Sequence, residues 1–136
     1  MTTLRFPLCL ALILSACGGP LKYQVASSPR APGADAKIVA DVSAEQGQTR
    51  LDLEITNLPP PGRVTEKATV YVAWYRKNPS AVWSRIGGLK YDDGDREGKI
   101  GGSVPEVAFD LSVTAETDDT PASPSPDVIV SQRVEE

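Results

Sequence analysis

Leu51, Leu53 and Ile55 alternate with Asp52, Glu54 and Thr56, and that period of two runs through most of this chain. Successive side chains of an extended strand point to opposite faces, so the pattern makes one face apolar and leaves the other wet. Ile38, Ala40 and Val42 alternate in the same way with Val39, Asp41 and Ser43, and Gln46-Gly47-Gln48 supplies a turn between the two runs. Leu58-Pro59-Pro60-Pro61-Gly62 then stops the sheet, because proline cannot donate a ladder hydrogen bond.

The second half continues the pattern. Residues 68–76 place Val70, Val72 and Trp74 on one face and Tyr71, Ala73 and Tyr75 on the other. Lys77-Asn78-Pro79-Ser80 is a turn, and residues 82–91 read as a fourth strand with a bulge at Gly87-Gly88. Asp92-Asp93-Gly94-Asp95 is a hairpin turn, since Asp-Gly tolerates the left-handed backbone of tight turns. Residues 99–104 pair back, weakened by Gly101 and Gly102. Residues 106–116 form a strong strand with Phe109, Leu111 and Val113 inward, and residues 128–134 close the chain after a Pro-, Asp- and Thr-rich loop over 117–126. No segment holds a helical period beyond two turns. About seven short strands with regular turn signals predict an all-β, immunoglobulin-like Greek-key sandwich, with a small barrel as the alternative.

The amino-terminal segment obeys a different logic. Arg5 is the one charge of a short polar region, Phe6 to Leu14 are mostly apolar, and small Ser15 and Ala16 precede Cys17. That layout is a secretory signal. Its apolar run, broken by Pro7, is about half the roughly 20 residues that a membrane-spanning helix needs. Leu14-Ser15-Ala16-Cys17 resembles the lipobox of bacterial lipoproteins. The resemblance implies that the signal is removed before Cys17, that its thiol carries a diacylglycerol, and that the new amino terminus is acylated, palmitate being one such chain. Two or more chains hold stably where one is marginal. Gly18 stands where some inner-membrane lipoproteins of this kind carry Asp, which points to the outer membrane in a Gram-negative cell. The expected organisation is a signal over 1–16, a lipidated terminus and flexible tether over 17–34, and the sandwich over 35–136. Pro20, Pro29, Pro32, Gly18, Gly19 and Gly33 give the tether its character, although Leu21, Tyr23 and Val25 also alternate as a short strand would.

Composition narrows the chemistry. Of the 136 residues none is His, Met1 is the one Met, and Cys9 and Cys17 are the two cysteines. Without His, Ser–His and Cys–His catalysis are excluded, and with Cys9 removed and Cys17 lipidated no thiol or imidazole is left for zinc or copper. Loss of the signal with Arg5 leaves 13 basic and 18 acidic residues, a formal charge of −5. That balance and the absence of Lys/Arg clusters argue against a nucleic-acid partner.

Three side-chain groups stand as candidates. Asp92, Asp93, Asp95 and Glu97 form a dense carboxylate cluster that calcium could use, but their spacing fits no EF-hand loop and Arg96 and Lys99 interrupt it, so a solvated turn is the expectation. Trp74, Tyr75 and Trp83 could build a platform for sugar or peptide, although aromatics at alternate strand positions are more often core; Trp74 is expected inside. Asp52 and Glu54 could in principle serve as acid and base, but an open sheet face gives them no pocket. No cofactor or metal is expected.

Val70 to Tyr75, Trp83 through Leu89, the run Phe109-Asp110-Leu111-Ser112-Val113-Thr114-Ala115-Glu116 and the Pro-Ser-rich segment before Val128 together resemble the extracytoplasmic domain of anti-sigma-K-type factors. The resemblance spans about residues 36–134 and implies a β-sandwich outside a membrane. This sequence shows no sigma-binding segment or membrane helix of that family, so sigma inhibition does not carry over. The expectation is a non-enzymatic, lipid-anchored envelope protein whose partner is another envelope protein. A carbohydrate- or peptidoglycan-binding lipoprotein using Trp83 is the alternative.

Overall fold

A computed structural model describes residues 19–136. Nine strands build two antiparallel sheets: β1 (Leu21–Ala26), β2 (Asp35–Ser43), β3 (Gln48–Thr56), β4 (Val70–Arg76), β5 (Ser84–Gly88), β6 (Lys90–Asp92), β7 (Glu97–Val104), β8 (Phe109–Glu116) and β9 (Val128–Val134). One helical turn, α1 (Pro61–Val64), interrupts them, with proline at its start where a missing N–H is harmless. The first sheet runs β1-β2-β3-β7-β6 and the second β5-β4-β8-β9. The all-β sandwich expected from the period of two is the observed fold.

The inner faces are the apolar sets that alternation selects. Ala36, Ile38, Ala40, Leu51, Leu53 and Ile55 from the first sheet meet Tyr71, Ala73, Phe109, Leu111 and Val113 from the second, all buried. Register sustains it: Ile38 lies opposite Leu53, which lies opposite Ile100. A slip of one residue would turn every one of these side chains to water.

Nine strands stand where about seven are expected, for two reasons. Residues 21–34, read as tether, belong partly to the sandwich. β1 pairs along its length with β2, from Leu21 opposite Ala40 to Ala26 opposite Asp35, and Ala31 and Ala34 are buried. The connection behind β1 is also tied to β9, since the Ser28 N–H donates to the Ile129 carbonyl at 2.8 Å and Ser28 Oγ donates to that of Val128 at 2.6 Å. Pro and Gly signal an irregular path, but here that path is pinned by these distant partners.

Residues 82–91, expected as one strand, change sheets. β5 pairs with β4 in the second sheet and β6 with β7 in the first. Leu89 turns the corner, buried, with its N–H donating to the Tyr71 carbonyl at 2.8 Å. The bulge lies one residue before the expected Gly87-Gly88. Ala73 pairs with Gly87 and Trp74 with Arg85, so Ile86 is the extra residue and packs against the core. Gly87 keeps the sheets close there, as a Cβ on it would come 3.2 Å from Ile100 Cδ1.

Strand directions give the sandwich two distinct ends. The chain enters β1 at one end, which also carries the 44–47, 77–83 and 105–108 connections and the carboxy-terminal Glu135. Thr49 Oγ1 donates to the Glu106 carbonyl at 2.7 Å and Tyr23 OH to that of Glu135 at 3.1 Å, holding this entry end together. The far end carries the 27–34, 57–69, 93–96 and 117–127 connections.

Candidate functional site

Cys17, the residue expected to carry a lipid, lies outside the described residues. The other sequence-named groups are all described, and they fall on separate surfaces. The Asp92–Glu97 cluster sits at the far end on the β6–β7 hairpin. Asp92 Oδ1 there accepts the Asp95 N–H at 3.0 Å, so one carboxylate closes the turn itself. Among the described residues no group of three or more His, Cys, Asp or Glu side chains is placed to hold a metal ion.

The aromatic residues do not share a platform. Tyr75 faces the inter-sheet core and meets Phe109 edge-on at 6.4 Å between centroids. Trp74 is buried, as expected, yet it points to the opposite, outer face of the second sheet and is not part of the inter-sheet cluster. Trp83 lies half-buried with the Arg76 guanidinium 4.3 Å from its ring centroid, a cation–π contact that occupies one ring face. Arg76 also donates to Asp110 Oδ2 at 2.8 Å, while Arg133 reaches Asp110 Oδ1 at 3.2 Å, so one carboxylate braces β4 and β9 across β8.

Asp52 and Glu54 do enter a concavity. They line a shallow groove of about 560 Å³ on the outer face of the first sheet, with Lys37, Val39, Lys99 and Gly101. Its pattern comes from register. Lys37, Glu54 and Lys99 stand in one cross-strand row, and Val39, Asp52 and Gly101 in the next. Lys99 Nζ turns to Glu97 Oε2 at 3.6 Å, so the row is a mixed-charge surface rather than a ladder of ion pairs. Gly101 makes the floor, since a Cβ there would lie 3.0 Å from Asp52 Oδ1. An open face of alternating sign can recognise a complementary surface. The two carboxylates project side by side from one strand rather than converging across a pocket.

Two buried polar arrangements escaped the sequence reading. On the outer face of the second sheet, Trp74 Nε1 donates to Thr114 Oγ1 at 2.9 Å, and Thr114 donates in turn to Glu116 Oε2. The same carboxylate oxygen accepts the Ser125 N–H at 2.9 Å, and Ser125 Oγ donates to the Ala115 carbonyl at 2.8 Å. Thr114 and Glu116 are buried, and the chain of bonds draws the 117–127 connection onto this face. The signal was present: Val70, Val72 and Trp74 made this side of the third expected strand apolar too, which calls for a cover.

At the far end, Tyr71 OH donates to the Pro59 carbonyl and Tyr91 OH to that of Leu58 at 2.7 Å. The rings lie 5.9 Å apart, and the Leu58 N–H donates to the Arg96 carbonyl at 2.9 Å. The Pro-rich stop is therefore clamped by two phenols. Burial pushes the Tyr71 hydroxyl well above the usual phenol range, with a further push from Tyr91. Tyr91 is also raised, by burial first and then by Asp93 and Asp92, against the opposing pull of Arg96. Both remain hydrogen-bond donors at neutral pH. No protein family, curated protein or solved structure matches this chain.

Proposed function

We propose that this chain is a lipid-anchored bacterial cell-envelope protein whose sandwich binds or spaces and does not catalyse. The observation that carries the reading is Leu14-Ser15-Ala16-Cys17 standing immediately before the first strand, at Leu21, of a closed β-sandwich. In this reading Cys17 carries the lipid, and the domain faces the periplasm or exterior, on the outer membrane if the cell is Gram-negative. The strand order supports an immunoglobulin-type Greek key: β2-β3-β7-β6 facing β5-β4-β8-β9 follows the A-B-E-D and C′-C-F-G orders of such domains. The likeness to the outer domain of anti-sigma-K-type factors belongs to the same proposal and extends to the sandwich alone.

The partner in this reading is another envelope protein, met through the mixed-charge groove beside Asp52 and Glu54 or through an outer sheet face. Mass spectrometry of protein extracted from membranes tests the anchor. The expected amino-terminal peptide begins at Cys17 and bears a diacylglycerol with a further acyl chain. An unmodified polypeptide retaining Met1 in the soluble fraction overturns the reading. For the partner, cross-linking on intact cells should capture an envelope protein, with capture reduced by Glu54→Lys. Capture that Glu54→Lys leaves undiminished removes the groove from the proposal.

A further inference from the structure

We infer that the entry end of the sandwich rests on the lipid bilayer, with Val82 and Val107 set into its headgroup region and the far end directed away from the membrane. The inference rests on the proposed lipid at Cys17 and adds an orientation and a lipid-contacting surface to it.

Two independent observations converge. The first is reach. Because β1 begins at Leu21, only four Cα–Cα steps separate it from Cys17. Such a link spans at most roughly 14 Å when fully extended. The headgroup layer itself accounts for about 5–7 Å on each side of a bilayer. A spacer of 17 residues would have let the domain stand well clear of the membrane, whereas this link keeps Leu21 within roughly 10 Å of the headgroups.

The second is where the apolar surface lies. Among the described residues the exposed large hydrophobic side chains are Val82 and Val107, at 86% and 40% exposure. Val82 lies in the 77–83 connection between β4 and β5, and Val107 in the 105–108 connection before β8. Both strands flank β4 in one sheet, so the two valines belong to neighbouring connections at the end where the chain enters β1. Trp83 stands beside Val82, half-buried under Arg76. An indole with one apolar side and a guanidinium at hand suits the membrane–water boundary.

Charge does not separate the two ends. The far-end connections set Arg30, Arg63, Lys67 and Arg96 among their acids, and the entry end sets Lys77 and Arg133 against Glu45, Glu106, Glu135 and Glu136, so the contact is apolar rather than electrostatic. Two valines alone would hold a free protein weakly. Tethering converts their insertion into an intramolecular event at high effective concentration, so weak contact suffices to set orientation.

The test uses the lipidated full-length product reconstituted into phosphatidylcholine vesicles. Val82→Cys, Val107→Cys and Asp93→Cys are each labelled with a polarity-sensitive fluorophore, and quenching by brominated phosphatidylcholine is measured. Labels at 82 and 107 should be quenched several-fold more strongly than the label at 93 and shift to the blue. The protein without a label gives a second reading, in which Trp83 emission is quenched by the same lipid and Val82→Asp removes the quenching. Equal quenching at all three positions, or stronger quenching at 93, overturns the orientation while leaving a lipidated Cys17 intact. A mass spectrum of the same preparation lacking lipid on Cys17 overturns the anchor, and the orientation with it.

Discussion

Thr114→Val isolates the buried hydrogen-bond chain on the outer face of the second sheet. The substitution keeps shape and volume nearly constant, so what changes is the hydroxyl. In the native protein that hydroxyl accepts from Trp74 Nε1 at 2.9 Å and donates to Glu116. Removing it strands the indole N–H at a residue 1% exposed, and an orphaned buried donor costs about 1–3 kcal/mol. It also removes one bond to a carboxylate, worth about 1.5 kcal/mol or more. Part of that second loss is recovered, because Glu116 keeps the Ser125 N–H at 2.9 Å. The net expectation is a destabilisation of about 2–4 kcal/mol. Guanidinium denaturation reads it as a lower midpoint at unchanged slope, and thermal unfolding as a fall of roughly 8–16 °C for a domain of this size. A Trp74→Phe background provides the control. No donor is left to strand there, so Thr114→Val should cost about 1–2 kcal/mol less than in the native protein. A cost below about 0.5 kcal/mol, or one unaffected by Trp74→Phe, refutes the view that this chain of bonds holds the 117–127 connection in place.

Other parts of the structure yield sharper and simpler expectations. Gly98→Ala should destabilise by about 1–3 kcal/mol in urea denaturation, because its Cβ would lie 3.0 Å from the buried side chains of both Leu58 and Leu89; Gly19→Ala, with nothing within 4 Å, should change nothing measurable. The raised phenols of Tyr71 and Tyr91 favour folding fully below the free-phenol range near pH 10, and that contribution is lost as pH climbs from there toward their folded values. Stability should therefore hold flat to about pH 10 and then fall, by up to about 1.4 kcal/mol per pH unit through Tyr71 and less steeply through Tyr91, with their phenolate absorbance appearing late in a titration of the folded protein. Tyr91→Phe should cost about 1 kcal/mol through its bond to the Leu58 carbonyl. Asp110→Ala, which frees Arg76 and Arg133 at once, should cost about 1 kcal/mol, since both guanidinium groups are partly solvated.

Much of this architecture was legible because strand alternation is local. Leu51, Leu53 and Ile55 face the core and Phe109, Leu111 and Val113 meet them; the hairpin expected over Asp92-Asp93-Gly94-Asp95 joins β6 to β7 one residue later, over 93–96, with Arg96 rather than Gly94 in the left-handed conformation. What was not legible is what lies across a face. The period of two says that Val72 and Trp74 share a side, but whether that side meets the other sheet or a returning connection depends on residues some 40–50 positions later. The candidate surfaces show the same divide. Asp52 and Glu54 were readable as outward residues, whereas the groove they line needed Lys37 and Lys99 brought beside them from two other strands.

By itself the amino-acid sequence determined that the chain would be strands with one greasy side, where prolines would break them, and which chemistries a histidine-free protein cannot perform. Tertiary structure alone decided that residues 21–26 join the first sheet, that the run over 82–91 divides between two sheets, and that both exposed valines sit at the end where the chain enters. The reason is physical. Periodicity and turn chemistry act between near neighbours, while the partner of an edge, the cover of a face and the end of the molecule on which a loop emerges are settled by contacts that the chain makes only after it has closed on itself.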